Sequence, residues 1–456
     1  MEEDNNYHEN SNNNHHLSII DEKPELTTLL EDSNMQNDDE SLLSKKIISK
    51  LSKGYTFYTV IKVLSYSINE TSLILPYCLR RLGIIPFFLF LIIFSLSSLY
   101  IFYLLIDIIV KKNLFSDYHK KIQEKTNKIF NILYYIVNII YNILILIFEN
   151  YLYLSLCQKI LSFFGIDISY KIYIKIIILS ISFLIIEFPF SFIKFFQKPD
   201  LLYFLITFLI IVLNIIALFI IIFDKSDDDI TLIKFKAFEG ISKDYFTCFS
   251  IIMTIIGWQN KISNQLESFK IKTTKRFYKV IYLFFIYQSI LIIFICFVSA
   301  PLISDKGDAI IFLLDYKNLN LAHLLIIQIM AIIFCFVIHI IIAHHINLIQ
   351  ENFCLIVSLI LCQNQENDFK LNKILYICFN FFILFVSNVI SLIINDISII
   401  IILYGGIFST LINYLFPTII YFMMVSKNSL AIWFGWLITF IIISFGIMAL
   451  AFKILL

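Results

Sequence analysis

Between residues 57 and 452 the chain alternates long apolar stretches with short polar interruptions. A helix needs about twenty residues to cross the hydrocarbon core of a bilayer, and within that core only helices and closed barrels leave no backbone group without a partner. The pattern therefore predicts an all-α integral membrane protein with about eleven transmembrane helices, near 57–78, 84–110, 129–157, 172–190, 201–223, 246–262, 280–303, 323–347, 372–394, 397–424 and 430–452. The run from Phe353 to Cys362 is too short to span and is expected in the interface after helix eight. Composition agrees, since 59% apolar and only 15% charged residues exclude an ordinary soluble enzyme. The basic residues are scattered between apolar runs, which argues against a nucleic-acid partner.

Residues 1–54 read differently. The first fifty hold twelve acids against four lysines, with too few apolar residues to offset chain entropy, so a disordered acidic tail is expected. It turns basic at Lys45, Lys46, Lys50 and Lys53, a composition suited to an anionic cytoplasmic leaflet. Two acidic dileucine patterns, Glu25-x-x-x-Leu29-Leu30 and Asp38-x-x-x-Leu42-Leu43, look like adaptor-binding sorting signals of vacuolar and lysosomal membrane proteins. With the tail inside, 22 Lys and Arg fall on the cytoplasmic side and twelve outside, so a cytoplasmic N-terminus is expected. The destination is a vacuole- or lysosome-like membrane or the plasma membrane. Eight cysteines, without a C-x-x-C pair or a nearby His at zinc spacing, read as small buried hydrophobes. Neither a metal nor a cofactor is called for.

The polar residues inside the spans carry the functional signal. Transporters built from inverted repeats keep their substrate site where one helix in each half is broken, because the freed backbone groups can meet a charged substrate. Five helices plus five, with one appended, predicts breaks in helices one and six. Helix one holds Asn69, Glu70, Thr71 and Ser72 ahead of Pro76, and helix six holds Gly257, Trp258, Gln259 and Asn260. Repeat one then covers about 57–223, repeat two about 246–424, and the extra helix about 430–452.

The stretch NETSLILPYCLRRLG, Asn69 to Gly83, resembles the first-helix signature of the amino acid/auxin permease family. Thr274 to Val280, TKRFYKV, is similar to the family's cytoplasmic loop after helix six, and Gly405 to Pro417 is similar to its glycine-then-proline helix ten. The resemblance implies secondary transport of amino acids, proton-linked, sodium-linked or down the gradient, on a LeuT-like 5+5 fold, as in neutral or vacuolar amino acid transporters. One departure stands out: the family's G-A-G in the unwound part of helix one falls on Asn69-Glu70-Thr71, without a glycine.

Asn69, Glu70, Thr71, Ser72, Gly257, Trp258 and Gln259 are the candidate substrate-binding residues. An ionisable group at bilayer depth is costly unless it lines a cavity or is paired, which makes Glu70, His339 and Glu149 the candidates for coupling. For each, the alternative is a hydrogen bond between helices. Asn150, Asn388 and Asn413 read as interhelical bonding groups, and Asp107 and Glu187 as interfacial, near Lys111 and Lys194. The rival function is a membrane-bound O-acyltransferase-like enzyme using His339 and Asn388, which requires neither paired breaks nor five-plus-five spacing.

Overall fold

The structure is a computed structural model, and it describes residues 59–61, 63–65, 67, 70–111, 122–123, 125–166, 172–192, 199–223, 236–237, 244–257, 274–302, 321–361, 373–394, 396–425 and 430–455. All belong to one unit, Gly54–Leu456. Leu29, Leu30, Leu42 and Leu43 lie outside the described residues.

Among the described residues there are helices and no strand. Nine of these helices are long and apolar enough to cross a membrane: Ile84–Ile109, Lys128–Phe163, Ile172–Phe190, Tyr203–Ile220, Phe277–Ser299, His323–Leu361, Ile374–Ile393, Ile397–Met424 and Leu430–Leu455. They correspond to expected helices two to five and seven to eleven. The first and sixth are present in shorter pieces. Helix one is helical at residues 59–61, 63–65 and 67, then has a 3-10 turn Glu70–Ile74, then an α-helix Leu75–Leu82. Helix six is the α-helix Asp244–Ile256. The outer faces carry Ile85, Leu184, Trp433 and Phe440, all exposed, as hydrocarbon requires.

Proline sets where the regular turns fail. It has no N–H to donate and its ring clashes with the carbonyl four residues back. Pro76 follows the 3-10 turn Glu70–Ile74, Pro189 follows a π-turn Phe183–Glu187 in helix four, and Pro417 follows a π-turn Leu411–Leu415 in helix ten. Each irregular turn ends two residues before its proline. A second π-segment, Ile402–Phe408, contains the glycine pair of helix ten.

Two expectations are corrected. The Phe353 to Cys362 run is not a separate interfacial segment, because its described part continues helix eight without a break as Leu321–Leu361. That helix has 41 residues, about 60 Å at 1.5 Å per residue, roughly twice the hydrocarbon thickness. Gln350, Glu351 and Asn352 interrupt the apolar run, but without Pro or Gly they do not interrupt the helix. Thr274 to Val280 is likewise not a loop. It forms the opening turns of helix seven, Thr274–Ser299, with Phe277 and Val280 buried and Lys275 and Lys279 exposed.

Helices one and two meet at a single residue. Gly83 takes φ +83°, a left-handed conformation that a side chain would strain. The first N–H groups of helix two, on Ile84 and Ile85, donate at 3.1 Å to the carbonyls of Lys236 and Ala237 in the connection after helix five. Helix eleven is fastened at its far end, where Lys453 Nζ lies 2.6 Å from Asp396 Oδ2 at the start of helix ten. Partial burial works against the Asp396 carboxylate, but Lys453 and the Ser398 side chain and backbone outweigh it and hold its carboxyl below the usual range.

Glycine allows the closest helix contacts. A Cβ on Gly446 of helix eleven would stand 2.2 Å from the Gly406 carbonyl oxygen, and one on Gly405 would stand 2.4 Å from the Ser250 carbonyl oxygen. Neither backbone can yield without separating helix ten from helix eleven or helix six. Gly446→Ala is therefore expected to cost about 1–3 kcal/mol and to lower the thermal unfolding midpoint of the purified protein, whereas Phe440→Ala, on the outer face, leaves it nearly unchanged. Equal midpoints for Gly446→Ala and wild type would contradict the backbone contact.

Candidate functional site

Helix six ends in the interior, and its last carbonyls have no helical donors of their own. Gly257 closes the helix with its N–H on the Met253 carbonyl at 2.8 Å. Side chains from three other helices then meet the open carbonyls. Gln288 Nε2 of helix seven donates to Ile255 O at 3.2 Å, Ser98 Oγ of helix two to Ile256 O at 3.3 Å, and Asn413 Nδ2 of helix ten to Gly257 O at 2.8 Å. Asn413 also donates to Ser409 O at 2.9 Å. A Cβ on Gly257 would stand 3.2 Å from the Asn413 amide nitrogen and 2.8 Å from Ser409 Oγ, so only glycine leaves this arrangement in place.

The 3-10 turn of helix one packs on helices five, six and seven. Glu70, Thr71 and Ser72 lie on it, and Ser72 is fully buried. The side chains of Glu70 and Thr71, and the whole of Asn69, Trp258 and Gln259, are outside the described residues. Helix one is bound to its neighbours by Thr207 Oγ1 of helix five, which donates to Ser65 O at 3.2 Å, and by Cys78 Sγ, 3.9 Å from Cys248 O of helix six.

Of the candidate coupling residues, Glu149 and His339 lie on helices three and eight. Helix three presents a buried polar face of Asn131, Asn138, Asn142 and Glu149, which recur at helical spacing. Glu149 is fully buried. Asn142 Oδ1 bonds His345 Nδ1 of helix eight at 2.7 Å, and Asn150 Nδ2 donates to Ser387 Oγ of helix nine at 3.2 Å. One turn beyond Glu149, the Tyr153 ring packs edge-on against His339 at 4.4 Å.

His339 faces Glu187, which the sequence reading placed beside Lys194 at the interface. Within the protein Glu187 is 0% exposed, at the end of the π-turn in helix four. Ser182 Oγ donates to its Oε1 at 2.8 Å, Asn388 Nδ2 of helix nine donates to its Oε2 at 3.2 Å, and His339 Nδ1 lies 3.5 Å from Oε1. Lys194, whose closeness in sequence suggests the interface, lies outside the described residues. The lone acid in FLIIEFPF ahead of Pro189 was the available signal. Asp107 does sit as expected, bonded to Lys111 Nζ and Tyr421 Oη at 2.8 Å each. Asn388 and Asn413 both bond between helices, as expected. His339 and Asn388, the residues of the rival enzyme reading, are both committed to Glu187.

Asn413→Ala leaves the Gly257 carbonyl without its side-chain donor, a buried loss of about 1–3 kcal/mol. Hydrogen–deuterium exchange over residues 250–257 should quicken in that variant while exchange in helix nine stays as in wild type. Unchanged exchange over 250–257 would show that the cap is not needed.

The chain matches the family described as transmembrane amino acid transporter protein over residues 52–456. No curated protein matches it. The family is one of transporters and not of enzymes, which removes the acyltransferase reading, and the match covers all of the helical unit Gly54–Leu456. The chain is a member of the transmembrane amino acid transporter family.

Proposed function

We propose that the chain moves amino acids by alternating access on a LeuT-like 5+5 arrangement, with helices one and six moving against a scaffold that includes helices three and eight. The observation that carries this reading is the position of the two interrupted helices. They are the first and the sixth, one in each half, where freed backbone groups can meet a zwitterion. Asn69, Glu70, Thr71, Ser72, Gly257, Trp258 and Gln259 form the substrate site in this reading. The carbonyls of Ile255, Ile256 and Gly257 already accept from Gln288, Ser98 and Asn413. The substrate ammonium therefore has the remaining lone pairs or the Glu70 carboxylate as its partners. Glu70 stands where the family's glycines would let the backbone approach the carboxylate, and it is the first candidate for proton coupling.

Uptake into proteoliposomes from a mixed amino acid panel, with and without a pH gradient, tests the function. If Glu70 couples protons, Glu70→Gln abolishes pH-driven accumulation and leaves exchange of labelled substrate largely intact. If it binds the ammonium, the variant loses a charge-assisted bond of about 1.5–3 kcal/mol, and both activities fall roughly tenfold to a hundredfold. Wild-type accumulation and exchange in Glu70→Gln would remove it from both roles. The dileucine pairs Leu29-Leu30 and Leu42-Leu43 direct the protein, in the same proposal, to an internal acidic membrane through sorting adaptors; an unchanged distribution after replacing all four with Ala would contradict that.

A further inference from the structure

Glu187 and His339 are 0% and 2% exposed in a molecule surrounded by hydrocarbon. An acid and an imidazole sharing one proton carry no net charge whether the proton sits on nitrogen, as an ion pair, or on oxygen, as a neutral pair. Removing that proton leaves one negative charge in the interior, which is tolerable only if donors surround the carboxylate. Those donors are present. Ser182 Oγ is 2.8 Å from Oε1 and 3.4 Å from each ring nitrogen of His339, so its hydroxyl can donate to the carboxylate while accepting from the ring.

Asn388 provides for the opposite state. Its Nδ2 donates to Glu187 Oε2, but its own Oδ1 is buried and meets no hydrogen-bond donor among the described residues. Rotating the amide by half a turn would place that acceptor against Oε2, where it would take the O–H of a protonated carboxyl. One side chain can thus serve both the charged and the neutral form. The cluster also sits on the π-turn before Pro189, a local irregularity of a kind frequent at functional sites.

We propose that Glu187, His339, Ser182 and Asn388 form a proton-binding site among helices four, eight and nine, separate from the breaks in helices one and six, and that its protonation is linked to transport. On loading, a proton from water becomes the N–H of imidazolium on His339 or the O–H of the Glu187 carboxyl. On release that bond breaks, its electron pair stays on the nitrogen or oxygen, and the proton returns to water, leaving the carboxylate held by Ser182, Asn388 and the neutral ring. Among the described residues, Tyr153 of helix three packs on His339 and interacts with Ser182, Cys157 of helix three and Cys335 of helix eight lie beside Tyr153, and Glu149 is one turn away from Tyr153 on helix three. His344 and His345 turn elsewhere on helix eight, toward Tyr203 and Asn142. Helix nine contributes the Asn388 amide at this point.

The link to transport rests on the amino acid transport proposed above, whereas proton binding does not. Infrared difference spectroscopy of the full-length protein in lipid, with pH stepped, reads both the C=O band of a protonated carboxyl and the ring bands of imidazolium. A titrating carboxyl band should be lost in Glu187→Gln and its midpoint should move by about one pH unit, a tenfold change in proton affinity, in His339→Gln; a titrating imidazolium band should be lost in His339→Gln and move by a similar amount in Glu187→Gln. Asn388→Ala should also move the midpoint, and stands in where Glu187→Gln does not fold. Identical titrating bands in Glu187→Gln and wild type, or a midpoint unmoved in both other variants, would overturn the site. In proteoliposomes with the amino acid panel, His339→Gln should shift the pH profile of uptake, and an unshifted profile overturns the link. If wild type takes up no amino acid, the transport reading fails and the infrared result still decides the site.

Discussion

A broken helix inside a membrane protein survives only if each freed carbonyl finds a donor within the protein. The end of helix six meets that demand with three side chains from three helices, Gln288, Ser98 and Asn413, on three consecutive carbonyls. Because Gln288 and Ser98 belong to helices seven and two, the break also ties its neighbours together. Asn413 can reach Gly257 because helix ten runs through a π-turn at that point, ahead of Pro417. The glycines of helices ten and eleven let these backbones come close enough for the reach to succeed.

Apart from the ion pair that fastens helix eleven to helix ten, the interhelical bonds named above fall into two sets. Helices one, two, five, six, seven and ten are joined through Ser65, Cys78, Ser98, Thr207, Gln288 and Asn413. Helices three, four, eight and nine are joined through Asn142, Asn150, Ser182, Glu187, His345 and Asn388. Between them, helix three meets helix ten through rings: Phe148 and Tyr141 against Tyr404, and Phe130 and Tyr134 against Phe416, at 5.0 to 6.4 Å between centroids. Ring contacts depend less on direction than hydrogen bonds do, so such a seam can shift while each set keeps its own bonds.

The spans were legible because apolar length is a direct requirement of the bilayer, and the 3-10 turn of helix one and the end of helix six at Ile256 were legible because Pro76 and Gly257 sit beside polar residues. The length of helix eight was not, since Gln350, Glu351 and Asn352 look like an interruption although none of them breaks a helix. The surroundings of Glu187 were hidden for another reason. Its partners His339 and Asn388 lie 152 and 201 residues away in sequence. Asn413 was readable as a bonding residue, but that its acceptor is an unwound carbonyl follows only from the packing of helix ten on helix six.

The central proposal is that the set holding helices one and six moves against the set holding helices three, four, eight and nine. Spin labels on outward-facing positions test it by pulsed dipolar distance measurement: Tyr282 of helix seven with Phe382 of helix nine, and Ile185 of helix four with Phe382. The account predicts that adding the amino acid panel shifts the distance distribution of the first pair and leaves that of the second in place. A shift in the second pair as large as in the first, or no shift in either while the amino acids are taken up, would contradict it.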